Sequence, residues 1–358
     1  MSKSYAVAVI PGDGIGPEVV REGLRVLERV AAIEGFTVRP THYPFGAEHY
    51  LKTREIFPDT AFEEVKRHEA ILLGAIGDPR IEVGLLEFGI IARMRFELDL
   101  FVNLRPVKLY AEHLCPIKDK KPADVDFVVV RENTEDAYAG MRGFFKKGTP
   151  DEVATQEIIF TRKGVERVIR YAFELARRRG GRRKLTLIDK ANAVRAMDLW
   201  TRVFAEVGAE YPDVERDHQY IDAACMYVVR DPSGYHTAVT SNMFGDIFTD
   251  LAAMIQGGLG IAASGNIHPG RVSLFEPIHG SAPKYAGRGV ANPVATIMAV
   301  QMMLDYLGES AAAARVETAV ARLLSSRRLP SLGTDSGFST TQVGDMVLEE
   351  IETATARR

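Results

Sequence analysis

Short apolar runs alternating with helical stripes constrain this chain more than any other feature. Residues 5–10 (YAVAVI), 70–75 (AILLGA), 127–130 (FVVV) and 185–188 (LTLI) are nearly uninterrupted, and a further run lies around 238–240. Strands buried on both faces read this way. Between the runs the period changes. Pro17 stands where the first turn of a helix tolerates a missing N–H, and Val20, Leu24, Leu27 and Ala31 follow at helical spacing. Val165, Val168, Ile169, Ala172 and Leu175 form a second stripe, ended by Gly180-Gly181. This alternation predicts an α/β architecture with a largely parallel sheet. A chain of 358 residues has room for one large core or two lobes.

Charge and composition exclude several functions. A net charge of -3 gives no global attraction to nucleic acid or to an anionic membrane, so anion binding must come from local arginine clusters. The one basic block, residues 177–179 and 182–184, reads as a solvated helix end, where cations are favourable. The apolar stretch 294–304 contains Gln301 and is too short to cross a bilayer. Cys115 and Cys225 are the only cysteines and have no metal-ligand spacing, which fits a reducing cytoplasm. Residues 1–5 run straight into the first strand and are no signal peptide.

Several motifs carry candidate chemistry. Gly12, Gly14 and Gly16 occupy a strand-to-helix turn, but their spacing is GxGxG rather than GxGxxG, so the Rossmann signature is absent. Asp246 and Asp250 are four apart, so a helix puts them on one face, where like charges repel unless a cation lies between them. Asp222 is a third acid, flanked by small and apolar residues. Three carboxylates without His or Cys partners suit a hard cation such as Mg²⁺ or Mn²⁺. The spacing equally allows helix-surface charges or caps. Arg95, Arg105 and Arg131 make a cationic set, and Arg131 directly follows an apolar strand. Such an arginine can clamp a carboxylate, although a single one is usually a surface charge. Lys190, just past a strand, is a candidate base, and Tyr138 a candidate proton donor. The segment 276–283 (EPIHGSAP) has small residues that admit phosphate to the backbone, plus one histidine able to meet an adenine.

Taken in order, residues 103–106 (NLRP), 242–246 (NMFGD) with Asp250, and 279–283 (HGSAP) resemble the β-hydroxyacid oxidative decarboxylases, the isocitrate/isopropylmalate dehydrogenase family, nearest its 3-isopropylmalate branch. The resemblance covers nearly the whole chain. It implies a two-lobed α/β fold with parallel or mixed sheets, not a Rossmann fold, with residues 1–100 and 258–358 on the cofactor side and 101–257 carrying substrate, metal and dimer contacts. It implies that Arg95, Arg105 and Arg131 hold the malate carboxylates and that Asp222, Asp246 and Asp250 hold Mg²⁺ or Mn²⁺. It implies that Lys190 takes the hydroxyl proton and that Tyr138 returns a proton after CO₂ leaves. His279, Gly280, Ser281, Ala282, Lys284, Tyr285 and Asn292 fall on the NAD or NADP side. It implies that Lys190 and Asp222 reach the site from the neighbouring subunit, and hence a homodimer with shared active sites.

The departures concern specificity. Gly89 and Ile91 stand where isocitrate enzymes place Ser and Asn, which disfavours isocitrate. Ile91-Ala92 replaces the Leu-Leu pair that packs against an isopropyl group, and the loss of about three methylene-sized units at ~0.8 kcal/mol each is enough to redirect specificity. Phe88 matches the aromatic of tartrate and D-malate enzymes, as does the run 132–135 (ENTE), and its bulk can refill the volume. A 3-substituted malate is therefore expected, with tartrate or D-malate second. Lys284-Tyr285 replaces the usual ribose-binding Asp and resembles the pair that holds the 2′-phosphate of NADP, although the branch itself favours NAD. The further Tyr and Arg of those NADP enzymes have no counterpart near residues 336–338. A non-redox metal-dependent lyase using the same acids is a rival reading, against which the His279 loop argues.

Overall fold

A computed structural model describes residues 3–356. Met1 and Ser2, where the reading of the N-terminus began, lie outside the described residues. The chain divides into two compact units, Met1–Leu100 with Lys108–Pro122 and Ala253–Arg358, and Phe101–Val107 with Ala123–Ala252. Residues 108–122 and 253–257, which the sequence reading placed in the middle region, belong to the first unit. Contacts within that unit hold them: the Lys108 amide donates to Gln256 Oε1 at 2.8 Å, and the Lys108 ammonium and Tyr110 hydroxyl bond Glu317 Oε1 at 2.6 and 3.1 Å.

In the first unit the strands lie in the order Thr37–His42, Ser4–Gly12, Ala70–Ala75, Ser273–Pro277, Ala263–Ile267. All adjacent pairs are parallel except the last. Every residue of Ala70–Ala75 is buried, as an unbroken apolar run in a parallel sheet requires. The helix Gly16–Glu34 buries Val19, Val20, Gly23, Val26, Leu27, Val30 and Ala31. Val20, Leu27 and Ala31 of the expected stripe are buried, while Leu24 is half-buried and Gly23 takes the buried place beside it. Gly23 lets this helix lie close to Val294–Tyr306, because a Cβ there would stand 3.0 Å from Thr296 Cγ2. The helix Val294–Tyr306 is apolar almost all round because it is buried almost all round. Among the described residues no helix is long and apolar enough to cross a membrane.

In the second unit the order is Val102–Lys108, Asp126–Glu132, Thr237–Thr240, Lys184–Asp189, Glu215–Tyr220. Thr237–Thr240 runs parallel to both its neighbours, with Thr240 level with Arg131 and with Ile188. Lys184–Asp189 is parallel to Glu215–Tyr220, with Asp189 level with Tyr220. This register brings four strand C-termini to one edge, and Arg131, Lys190, Asp222 and Asn242 all lie at or just beyond it. The crevice outside the carboxyl ends of parallel strands is where α/β sheets bind ligands. Five of the six cations of the basic block near residue 180 pair with acids: Arg177 and Arg183 with Asp213, Arg179 with Asp126, Arg182 with Glu215 and Lys184 with Asp217.

Candidate functional site

The helix Asn242–Ile255 presents Asp246 and Asp250 on one face, and two buried arginines meet them. Arg131 Nη1 lies 2.5 Å from Asp246 Oδ1, Arg105 Nη2 lies 3.2 Å from the same oxygen, and Arg105 Nη1 is 3.6 Å from Asp250. Here the guanidinium groups relieve the like-charge repulsion along the helix. Burial, with the charge of Asp246 adding to it, still holds the Asp250 carboxyl above its ordinary range against the opposing pull of Arg105. Arg105 and Arg131 are only 4% and 2% exposed, so each must have its N–H groups satisfied. Arg105 donates to Asn103 Oδ1 and Thr249 Oγ1, both at 2.6 Å. Arg131 forks onto Asn242 Oδ1 from Nε and Nη2 at 3.0 and 2.7 Å. Gly245 is required where it is, because a Cβ there would come within 2.5 Å of Arg131 Cγ.

Tyr138 closes this group. Its hydroxyl donates to Asp246 Oδ2 at 3.2 Å and its ring lies 5.7 Å from the Arg131 guanidinium carbon. Burial foremost, then the Asp246 charge, raises the phenol's pKa, so the tyrosine stays protonated and can donate. The turn between Arg131 and Tyr138 is fastened from within. Glu132 accepts from the Thr134 amide and hydroxyl and from the Glu135 amide, and Asp136 accepts from the Met243 amide at 2.9 Å.

Lys190 and Asp222 form a separate pair. The parallel register sets them side by side, with Lys190 Nζ 2.5 Å from Asp222 Oδ1, and that ammonium holds the Asp222 carboxyl below its ordinary range. Among the described residues no group of three or more acids, histidines or cysteines comes together to hold a metal. Within one chain, therefore, Asp222 does not join Asp246 and Asp250.

The remaining candidates belong to the first unit. Arg95 donates to Glu276 Oε1 at 2.9 Å, an oxygen that also accepts from Asn266 Nδ2 at 2.8 Å, and Arg95 Nε is buried without a partner. Residues Glu87–Ala92 form a π-helical turn, a departure from the α-helix that recurs at functional sites. Ile90 is core, and Ile91 is half-buried and packs against that core. Phe88, 42% exposed, and the half-buried Ala92 are the freer members of the set.

The glycine turn serves as a seat for the His279 loop. Gly14 has φ +58°, and a Cβ there would run into the Ser281 carbonyl, which accepts from the Ile15 amide at 2.9 Å. Asp13 fastens the turn by accepting from the Ala47 and Gly77 amides at 2.6 and 2.9 Å, and its burial raises its pKa. In the loop itself His279 Nδ1 lies 3.0 Å from the Gly280 carbonyl, an acceptor only, so Nδ1 carries the proton. Nε2 is buried with no partner, and burial lowers the ring's pKa, leaving a neutral imidazole with a free acceptor. Gly280 is exposed, and Ala282 has the left-handed φ of +42°. Lys284 Nζ stands 4.7 Å from the Tyr285 ring centre. Asn292 serves the fold, accepting from the Val294 amide at 3.0 Å and donating to the Leu332 carbonyl at 3.3 Å.

The isocitrate/isopropylmalate dehydrogenase family profile matches residues 6–347. This chain belongs to the isocitrate/isopropylmalate dehydrogenase family. The 3-isopropylmalate dehydrogenase of Thermobifida fusca is 50% identical over 354 residues, 98% of this chain and 98% of that protein. That of Frankia casuarinae is 54% identical over 324 residues, 90% of this chain and 93% of its own length. The crystal structure of isocitrate dehydrogenase from Methylococcus capsulatus aligns with a TM-score of 0.88 at 37% identity, covering 97% of this chain and 99% of that one. A β-decarboxylating dehydrogenase from Thermococcus kodakarensis aligns at 0.80 with 33% identity, covering 98% and 97%. Asn242, Thr249 and Glu276 were not singled out as site residues from sequence. Thr249 had a signal, since it lies three residues beyond Asp246 and so shares its helix face.

Proposed function

We propose that this chain oxidises a malate-type 2-hydroxy acid at C2 with a nicotinamide cofactor and releases the carboxylate on C3 as CO₂. The observation that carries the proposal is the convergence of two buried arginines and Tyr138 on the acid pair Asp246 and Asp250. Arg105 and Arg131 are pre-oriented by Asn103, Thr249 and Asn242 to take substrate carboxylates in charge-assisted bonds. Lys190, once it has given up its ammonium proton, would accept the C2 hydroxyl proton as hydride passes to a bound nicotinamide, and Tyr138 would donate the proton that replaces CO₂ on C3. Asp246 and Asp250, with Asp222 of a second copy, would form an all-oxygen donor set that suits Mg²⁺ or Mn²⁺. A bound divalent cation supplies Lewis acidity to the oxygen that becomes the ketone.

The free acceptor at His279 Nε2 fits an adenine amino group, and Lys284 with Tyr285 favours NADP over NAD. Sharing of the site between two copies is supported by the exposed apolar side chains Met226, Val229 and Ile247, and by Phe144 and Phe145 on the hairpin Arg142–Phe145/Val153–Gln156. The free thiols Cys115 and Cys225 fit a reducing, cytoplasmic setting.

For the C3 group the favoured reading is a 3-isopropylmalate-like substituent. D-Malate or tartrate is the second, because Phe88 is exposed on the same short turn as Ala92. The test is a substrate panel followed at 340 nm with Mn²⁺ and each cofactor. A kcat/KM for 3-isopropylmalate no better than for D-malate or tartrate overturns the C3 reading. Absence of cofactor reduction with every 2-hydroxy acid overturns the proposal.

A further inference from the structure

We infer that Arg288 is the second cation of the cofactor 2′-phosphate site, acting with Lys284 beside Tyr285. The inference rests on the NADP reading above and deepens it. Arg288 lies one helical turn's length beyond Lys284 on the same loop, and its Nη1 reaches back to the Lys284 carbonyl at 3.5 Å. Its guanidinium carbon is 5.9 Å from the Tyr285 ring centre, and Lys284 Nζ is 4.7 Å from the same centre. Two cations therefore lie close to one aromatic ring.

Neither cation has a carboxylate partner among the described ion pairs, whereas the arginines at 170, 177, 179, 182 and 183 are all matched to acids. Both are exposed, so neither is held there by packing. Tyr285 is itself tuned by Thr334 and by the pair. Bonds from Thr334 and Lys284, then the Lys284 and Arg288 charges, draw its phenol below the ordinary range. Two cations without carboxylate partners beside one ring suit a phosphate monoester, which carries close to two negative charges at neutral pH. The planar fork of Arg288 can take two phosphate oxygens, while Lys284 contributes a point charge.

The experiment compares binding of adenosine 2′,5′-bisphosphate with that of 5′-AMP, which lacks the 2′-phosphate, by titration calorimetry on the full-length protein. Wild type, Lys284→Ala, Arg288→Ala and Arg288→Lys are each titrated at low and high salt. Arg288→Ala is expected to weaken the bisphosphate about fivefold, the upper end for an exposed ion pair, and to leave 5′-AMP unchanged. Arg288→Lys should recover part of the loss, and the wild-type preference should shrink with salt. If wild type prefers the bisphosphate and Arg288→Ala preserves that preference in full, the inference fails and the NADP reading stands. If wild type binds the two nucleotides equally, the NADP reading fails and takes the inference with it. An equal loss for both nucleotides in Arg288→Ala assigns the residue to the fold of the loop and also overturns the inference.

Discussion

Replacing Glu132 by Gln should change how stability depends on pH. Glu132 is wholly buried beside Arg131 and accepts three hydrogen bonds at 2.7–2.8 Å, each favouring the carboxylate. Burial outweighs them and, with the charge of Glu135, pushes its pKa from the ordinary 4.5 up to about 7. In the unfolded chain the group titrates near its ordinary value. Between the two values the folded protein keeps a proton that the unfolded chain has lost, so stability falls as pH rises through this window and is level on either side. Over a window from 4.5 to about 7, at 1.36 kcal/mol per pH unit, the fall is about 3 kcal/mol. Glutamine cannot titrate. Its amide also presents N–H to a position that now accepts from the Glu135 amide, a constant penalty of about 1–3 kcal/mol. The variant therefore starts less stable at acid pH and gains about 3 kcal/mol relative to wild type by pH 8. Urea unfolding at half-unit steps from pH 4 to 8 measures the difference. A difference that stays flat, or that moves in favour of wild type as pH rises, would refute the reasoning, since either means that the fold does not disfavour the anion.

Two more predictions address the site. Thr249→Val keeps the side-chain shape but removes the acceptor for Arg105 Nη1. It should cost about 1–3 kcal/mol in urea unfolding and raise KM with kcat little changed, and an unaltered KM would show that Arg105 does not depend on this hydroxyl. If Lys190 and Asp222 complete the site of a second copy, Lys190→Ala and Asp246→Asn chains are each inactive, yet co-refolded mixtures should regain about a quarter of wild-type activity, because half the dimers then hold one intact site of two. A mixture as dead as its parents counts against the shared site.

The legible part of this protein is the part that periodicity reports. Runs such as 70–75 and 185–188 are unbroken because both faces of those strands are covered, and that local pattern already specifies an α/β class. The motifs at 103–106, 242–246 and 279–283 carried the family, which the 50% identity over 98% of the chain supports. Helical spacing also placed Asp246 and Asp250 on one face. Phase was less secure, as Leu24 shows, because a stripe read without the opposing sheet is uncertain by one position.

Convergence was beyond the sequence's reach. No spacing rule says that Arg105 and Arg131, 26 residues apart, meet on the same oxygen of Asp246, for that depends on which strands are neighbours. The pairing of Lys190 with Asp222 follows from a parallel register that sets Asp189 level with Tyr220. The return of residues 108–122 to the first unit, the role of Gly14 as a seat for Ser281, and the elevated pKa of Glu132 likewise depend on what the rest of the chain packs against them. Sequence by itself determined which residues can bury, turn and carry charge, because those are properties of single side chains and short repeats. The tertiary structure decided which of them share a site and in what state of ionisation, because sheet order, register and burial are set by contacts between residues far apart along the chain.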